Sequence, residues 1–490
     1  MNNTKSVAKN TIMNMFLTAA QFIFPLITFP YVSRVLGAAG NGKISFASSV
    51  VFYFELFASL GVPTYGIRAC AKCRDNRAEL SKCVQELLLI NLITITISYA
   101  VFCVTVFAVP KFRAEKELFF IMSANIILTS PGMEWLYKAL EEYSYITIRS
   151  VAAKLLSVLL MFLLVRTSDD YRIYAALTVL SSTGSYLWNL IQARKIIDFR
   201  PCGNYDLKKH LKPTVTLLAS VVAITLYSHM DSVMLGFMHG DYQNGLYGAT
   251  MRIKQIFISI TTALSVVLIP RMAYCFEKKD SESVSKYIDL GLRFSALLAF
   301  PMALFCIFNA EDCMVFIAGD EYAPARNAFF FQSLCLLVGT FSSIFSNQIL
   351  IPHGNEAANF KSMCVGTGVN LVLNTLWIKP YGAAGAAAAT LVTECAVCLF
   401  LYINCKRILP KEVKLRPLLR YFLACIPAFL LTLLLTAFVR PENIFWRLML
   451  SGCMSFALYF LILFISKEPV LRLILDEITK KLRRICKTGY

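Results

Sequence analysis

Arg34, Arg149, Lys154 and Arg252, together with Glu55, Asp231 and Glu394, lie within or at the ends of long apolar runs. A charge at the centre of a membrane helix costs roughly 2.5–3.5 kcal/mol even on the lenient insertion scale, so such residues pair, snorkel or work. The four cations suit anion binding inside hydrocarbon, and the three carboxylates suit coupling to protons or sodium. For each carboxylate a structural ion pair is the competing reading. Lys154 stands about eight residues into its run, ~12 Å at 1.5 Å per residue, and could also snorkel to the headgroups. Arg252 and Lys254 are separated by about 200° on a helix and cannot both face one cavity; Arg252 is the residue expected to do so. Asp231 and Arg252 lie equally far from a turn expected near Asp241 and Tyr242. That spacing predicts a pair at equal depth, acting as a brace or as a proton-operated switch.

The elements that must hold these groups are membrane helices. The 490 residues are 57% hydrophobic with a mean hydropathy of +0.61, which excludes a soluble chain. Fourteen apolar runs follow one another. The first two, Ile12–Leu36 and Ile44–Ile67, are joined only by residues 37–43 and predict a hairpin. Pro25 and Pro30 interrupt its first arm, and Gly61-Val-Pro63 breaks the second. The expected architecture is an all-α polytopic membrane protein of 14 transmembrane helices, in two six-helix lobes with pseudo-two-fold symmetry plus two accessory C-terminal helices. The expected boundaries are 1–196 for helices one to six, 197–212 for a cytoplasmic linker and 213–405 for helices seven to twelve. The accessory pair covers 417–465 and a basic tail 466–490.

The net charge of +18 is explained by placement. Cations crowd the loops Arg68–Lys82, Arg194–Lys212, Arg271–Lys286 and Lys406–Arg416, and the tail with Lys467, Arg472, Lys480, Lys481, Arg483, Arg484 and Lys487. All fall on one side, with both termini, while the opposite loops are short or acidic. The positive-inside rule makes that side cytoplasmic, with no nucleic-acid partner; the tail also suits anionic lipid headgroups. The second half echoes the first: Leu36-Gly37, Asn41-Gly42 and Ala47 match Leu235-Gly236, Asn244-Gly245 and Ala249. An even number of helices between copies implies a parallel repeat about an axis along the membrane normal.

Several stretches carry a family resemblance. They are Pro30-Tyr-Val-Ser-Arg34-Val-Leu-Gly37, Ser45-Phe-Ala47, Tyr65-Gly-Ile-Arg68, Pro131-Gly-Met-Glu134-Trp135 with the cationic helix after it, and Tyr381-Gly-Ala-Ala-Gly385. Together the chain resembles the Wzx-type polysaccharide flippases of the multidrug/oligosaccharidyl-lipid/polysaccharide exporter superfamily, with a MATE-like fold. It departs at the first turn, Gly40-Asn-Gly-Lys43, where the family often reads Gly-Tyr-Gly-x-Tyr, so an aromatic contact is expected to be missing there. The resemblance implies alternating-access movement of undecaprenyl-diphosphate-linked oligosaccharide across the cytoplasmic membrane for O-antigen or capsule-type polysaccharide. It also implies proximity to polysaccharide polymerase machinery, and a lipid-tail groove near the accessory pair. A diphosphate needs buried cations to cross hydrocarbon, which is what Arg34, Arg149, Lys154 and Arg252 would supply.

The remaining motifs argue against other classes. No Gly-x-x-x-x-Gly-Lys-Ser/Thr cradle for ATP is present. Cys70/Cys73 and Cys395/Cys398 lack the further partners a zinc site needs, so neither metal nor cofactor is expected. The 16 cysteines suit buried reduced thiols. Glu134 and Lys138, four apart, form either a structural or a functional pair, and Asn370 and Asn374 suit interhelical hydrogen bonds. Within the same fold the rivals are a lipid II flippase and a multidrug cation antiporter, the latter disfavoured by the excess of cations. A membrane glycosyltransferase or polymerase would need a large external loop with acidic catalytic residues, and no external loop exceeds roughly twenty residues. The chain therefore reads as a non-enzyme.

Overall fold

The computed structural model describes residues 7–409, 416–438, 441–473, 476 and 479. Lys411, Lys414 and the tail cations Lys480, Lys481, Arg483, Arg484 and Lys487 lie outside the described residues, among which all regular structure is helical. By internal contacts the chain divides into two compact units, 1–245 and 246–490.

The first unit opens with α1 (Val7–Ser59), followed by α2 (Val62–Lys72) and α3 (Arg77–Ala108). Short α4 (Pro110–Ala114) leads to α5 (Lys116–Thr129), α6 (Glu134–Ala139) and α7 (Tyr143–Leu164). Then come α8 (Tyr171–Val179), a π turn at Leu180–Gly184, α9 (Tyr186–Ala193) and α10 (Lys208–Met238). The loop expected at 37–43 shrinks to one residue: Gly37, at φ 67° and ψ −177°, breaks α1 into two arms. Only glycine enters that conformation without strain. Side-chain bonds show that the arms are antiparallel. Thr147 Oγ1 donates to Met13 O and Tyr31 Oη to Val165 O, so the first arm runs with α7. Ser98 Oγ donates to Phe54 O and Thr94 Oγ1 to Ala58 O, so the second arm runs against α3.

These pairings also sort the loops of this unit. The basic segments near Arg68–Lys82 and Arg194–Lys212 meet at one end, because Gln85 Nε2 donates to the carbonyls of Asp198 and Arg200. Buried Glu86 accepts from Asp206 N and Lys209 Nζ and lies 2.9 Å from His210 Nε2, while His210 Nδ1 is 2.9 Å from Tyr65 Oη. Single cysteines at Lys195 and Lys212, on a cysteine-free background, are expected to resist an impermeant thiol reagent added outside intact cells. Strong labelling would reverse the expected orientation.

The opposite end holds the Gly37 break. There Lys43 Nζ sits 2.6 Å from Glu115 Oε1 and over the Tyr171 ring, whose hydroxyl donates to Glu115. The aromatic contact expected to be missing from this turn is thus supplied by another helix. The turn after α10 falls at Gly240 (φ +93°), nine residues beyond Asp231 and twelve before Arg252, so the equal-offset expectation is off by three residues. At this end a Cβ on Gly42 would lie 1.7 Å from Asp241 O, and one on Gly245 1.8 Å from Ala38 O. Each glycine meets the residue four before the other. Asn244 Nδ2 donates to Gly42 O beside them.

Beyond α11 (Asp241–Thr261), the second unit contains α12 (Ala263–Glu277), α13 (Ser281–Phe308), α14 (Ala310–Ala318) and α15 (Arg326–Ser343). They are followed by α16 (Glu356–Lys406), α17 (Leu419–Phe438) and α18 (Ile444–Ile465). Gly382 (φ 56°) breaks α16 as Gly37 breaks α1. Asn370 and Asn374 hydrogen-bond each other along α16, 2.9 Å apart. The accessory helices pack on α13 through Tyr421, Ala424, Ala428 and Tyr459, with Tyr459 Oη donating to Leu297 O. Arg447 clamps Asp312 through one nitrogen at 2.9 and 3.1 Å.

Among the described residues, eight helices are long and apolar enough to cross a membrane, and ten if two bent pairs each count as one span. The count differs from fourteen for physical reasons. Helices α1 and α16 each absorb two runs across a glycine kink; the fourth run breaks at Pro131-Gly132 and the sixth at the π turn.

Candidate functional site

The break at Pro131-Gly132 does more than end α5. A Cβ on Gly132 would fall 2.6 Å from the Tyr186 side chain, so glycine lets α9 close in. Asn189 Nδ2 then donates to the exposed Gly132 carbonyl. Glu134 opens α6, and its carboxylate lies 2.7 Å from Lys138 Nζ and 3.2 Å from Arg149 Nη2. A Cβ on Gly66 would come 2.7 Å from the Trp135 ring, so this turn is also fixed against α2.

Arg149 is the unusual member. Its side chain is 6% exposed, and its guanidinium lies 5.2 Å from the Tyr186 ring and 5.7 Å from the Tyr145 ring. Among the described residues, neither Nε nor Nη1 has a hydrogen-bond partner. Three of five donors in a rigid fork are therefore unused, each costing about 1–3 kcal/mol when buried. The cluster holds two cations, Lys138 and Arg149, on one carboxylate. A cavity of about 370 Å³ adjoins it, lined by Tyr145, Arg149, Ala152, Leu156 and Trp188 among others.

Two other expected residues approach this cluster. Lys154, half-buried on α7, lies 5.9 Å from the Phe24 ring and interacts electrostatically with Glu134. Glu55 is half-buried and accepts a 2.8 Å bond from Thr129 Oγ1, a hydrogen bond rather than the ion pair considered for it. Its charge is felt by Tyr186, which also interacts with Glu134.

Others stand elsewhere. Arg34 is exposed near the Gly37 break and donates to Pro30 O at 2.8 Å. Tyr31 pairs with the far end of α7, so Arg34 is separated from Arg149 by most of that helix, roughly 24 Å at 1.5 Å per residue. Asp231 is buried on α10 and interacts with Tyr53, while His229 stacks on Phe52 at 4.6 Å. In the second unit Arg252 is only half-buried, whereas Lys254 is 5% exposed; of the two, the neglected lysine is the more deeply placed. Glu394, half-buried, reaches within 4.0 Å of a Cβ placed on Gly339 of α15. Tyr186 and Tyr145 were missed from the sequence. Tyr186 lies 52 residues from Glu134, and no local spacing joins them.

This arrangement can hold an anion at the membrane-embedded flank of α7. Comparisons with known proteins agree with such a role. The family described as "Polysaccharide biosynthesis protein" matches residues 7–276, and that described as "Lipid II flippase MurJ" matches 214–461. A putative O-antigen transporter of Shigella dysenteriae is 27% identical over 80% of this chain and 98% of its own length. A second, from Escherichia coli (strain K12), is 22% identical over 81% of this chain and 96% of its own. Among solved structures, the lipid II flippase MurJ in an inward closed conformation superposes with a TM-score of 0.72 at 14% identity, covering 93% of this chain and 98% of that one. An inward-facing multidrug resistance MATE family transporter gives 0.52 at 13% identity, over 79% and 94%. The fold is therefore MurJ-like, the protein is a multi-pass membrane protein, and the chain belongs to the polysaccharide biosynthesis family of Wzx-type flippases in the multidrug/oligosaccharidyl-lipid/polysaccharide exporter superfamily.

Proposed function

We propose that this flippase moves undecaprenyl-diphosphate-linked oligosaccharide repeat units across the cytoplasmic membrane by alternating access, for O-antigen-type surface polysaccharide. The observation that carries the reading is Arg149: a buried guanidinium with three donors unpaired beside a cluster with surplus positive charge. A diphosphate offers the oxygens such a fork recognises. Lys154 adds a second cation, and Arg34 and Arg252 would meet the headgroup at other stages of the cycle. Glu55, Asp231 and Glu394 are the proposed coupling groups, with proton or sodium as the ion. Fourteen spans in two lobes, 1–196 and 213–405, with both termini cytoplasmic, fit this cycle. The reciprocal Gly42–Gly245 contact is what a two-fold axis between repeats would produce. No covalent step is required of the protein.

Lipid II is the second reading, favoured by the match over residues 214–461, because it presents the same diphosphate. The test is reconstitution in liposomes with either lipid-linked oligosaccharide or lipid II, with and without proton and sodium gradients. Exposure of the sugar to an external enzyme is the readout. Protein-dependent exposure of the oligosaccharide substrate supports the first reading, and exposure of lipid II alone supports the second. Failure of both substrates would overturn the proposal.

A further inference from the structure

The cavity beside Arg149 is a trough between α7 and the α8–α9 segment, and its walls have the polarity of an amphiphile. Ile148, Ala152 and Leu156 succeed one another at four-residue intervals along α7, giving an apolar floor about 12 Å long at 1.5 Å per residue. Across from them the π turn ending at Gly184 interrupts the regular helix, and Trp188 forms the rim. Ile148 is 67% exposed, Leu156 49% and Trp188 67%, so this trough opens toward the bilayer. Its volume, about 370 Å³, is near the lower end of ligand cavities. The cation stands at one end of the trough and the apolar floor continues beyond it.

We infer that this trough is a lateral docking site for the polyprenyl diphosphate itself, with its diphosphate on Arg149 and the first isoprenoid units along Ile148, Ala152 and Leu156. The inference rests on the reading of Arg149 as a diphosphate ligand and adds where the lipid portion lies: against α7, rather than beside the accessory helices α17 and α18. Charge complementarity selects the occupant. A neutral lipid leaves the guanidinium unpaired, and a soluble diphosphate leaves the apolar floor uncovered. A narrow straight trough also suits one extended chain better than the paired acyl chains of a phospholipid.

Photocrosslinking tests this with the full-length protein in phosphatidylcholine vesicles containing tritiated undecaprenyl diphosphate without sugar. A p-benzoylphenylalanine replacing Trp188 should label saturably, and one replacing Ile97, a lipid-exposed residue of α3 outside the trough, should not. Arg149→Gln should lower Trp188-site labelling at least tenfold. Ala152→Trp, which fills the trough without touching the guanidinium, should do the same while the protein remains monodisperse. Excess phosphatidylglycerol or inorganic pyrophosphate should leave labelling unchanged. Equal labelling from both positions, indifference to both substitutions, or competition by phosphatidylglycerol would overturn the site. Because no sugar is present, transport of oligosaccharide with no labelling refutes this site alone. Labelling without transport leaves the site standing and refutes the proposed function.

Discussion

Replacing Arg149 by alanine is expected to cut transport by about 100-fold or more, with membrane levels maintained. Truncating one partner of a buried charge pair costs about 3–5 kcal/mol, and each 1.4 kcal/mol is tenfold in an equilibrium. Folding should survive because Glu134 keeps Lys138 at 2.7 Å. Arg149→Lys should retain partial activity, since the charge remains but the planar fork is lost. Lys154→Ala should have a smaller effect, as that side chain is only half-buried. The check is liposome transport normalised to immunoblotted protein, and normal transport by the Arg149→Ala/Lys154→Ala double variant would remove both residues from the site.

The second large effect is expected at the glycine crossing. A methyl group at position 42 would overlap Asp241 O, and one at 245 would overlap Ala38 O, at 1.7 and 1.8 Å. In both cases the obstacle is backbone, which cannot rotate away, so the helices must separate. Overpacking of this kind costs about 1–3 kcal/mol or more. Gly42→Ala and Gly245→Ala should each lower the melting temperature by several degrees, and the valine variants should fail to accumulate. Gly368→Ala is the control, because nothing lies within 4 Å of a Cβ there and alanine favours the helix. A melting curve by size-exclusion chromatography of detergent extracts reads this directly; equal behaviour of all three alanine variants would show that the crossing can relax.

These two sites differ in how far the sequence disclosed them. Arg149 was legible because burying a cation in an apolar run is costly wherever it occurs, and that argument needs no neighbours. Its partners were not, since Glu134 and Tyr186 approach it across turns of irregular length. Arg34 was grouped with it because a sequence records apolar context but not which end of a bundle a residue occupies. The choice between Arg252 and Lys254 went to the less buried one for a related reason: a 200° separation says that two side chains face apart, without saying which faces inward. Both kinks were visible as glycines between apolar runs. That Gly37 alone suffices to reverse the chain was not, because the flanking Ala38-Ala-Gly40 continues the helix.

The segment between α9 and α10 was read as a linker, a word that suggests slack. Its anchoring suggests a strap instead. Gln85 holds the carbonyls of Asp198 and Arg200 and accepts from Tyr205, while Glu86 takes the amide of Asp206 and both Lys209 and His210. Pulling on α10 therefore pulls on α3 within the span of a few bonds. A strap of this kind passes force and does not store it. For anyone building a reporter into the chain, the usable opening is narrow. Gly203 and Asn204 both have positive φ, and nothing approaches a Cβ at Gly203. A tag spliced there would ride on the strap, and one spliced a few residues to either side would cut it.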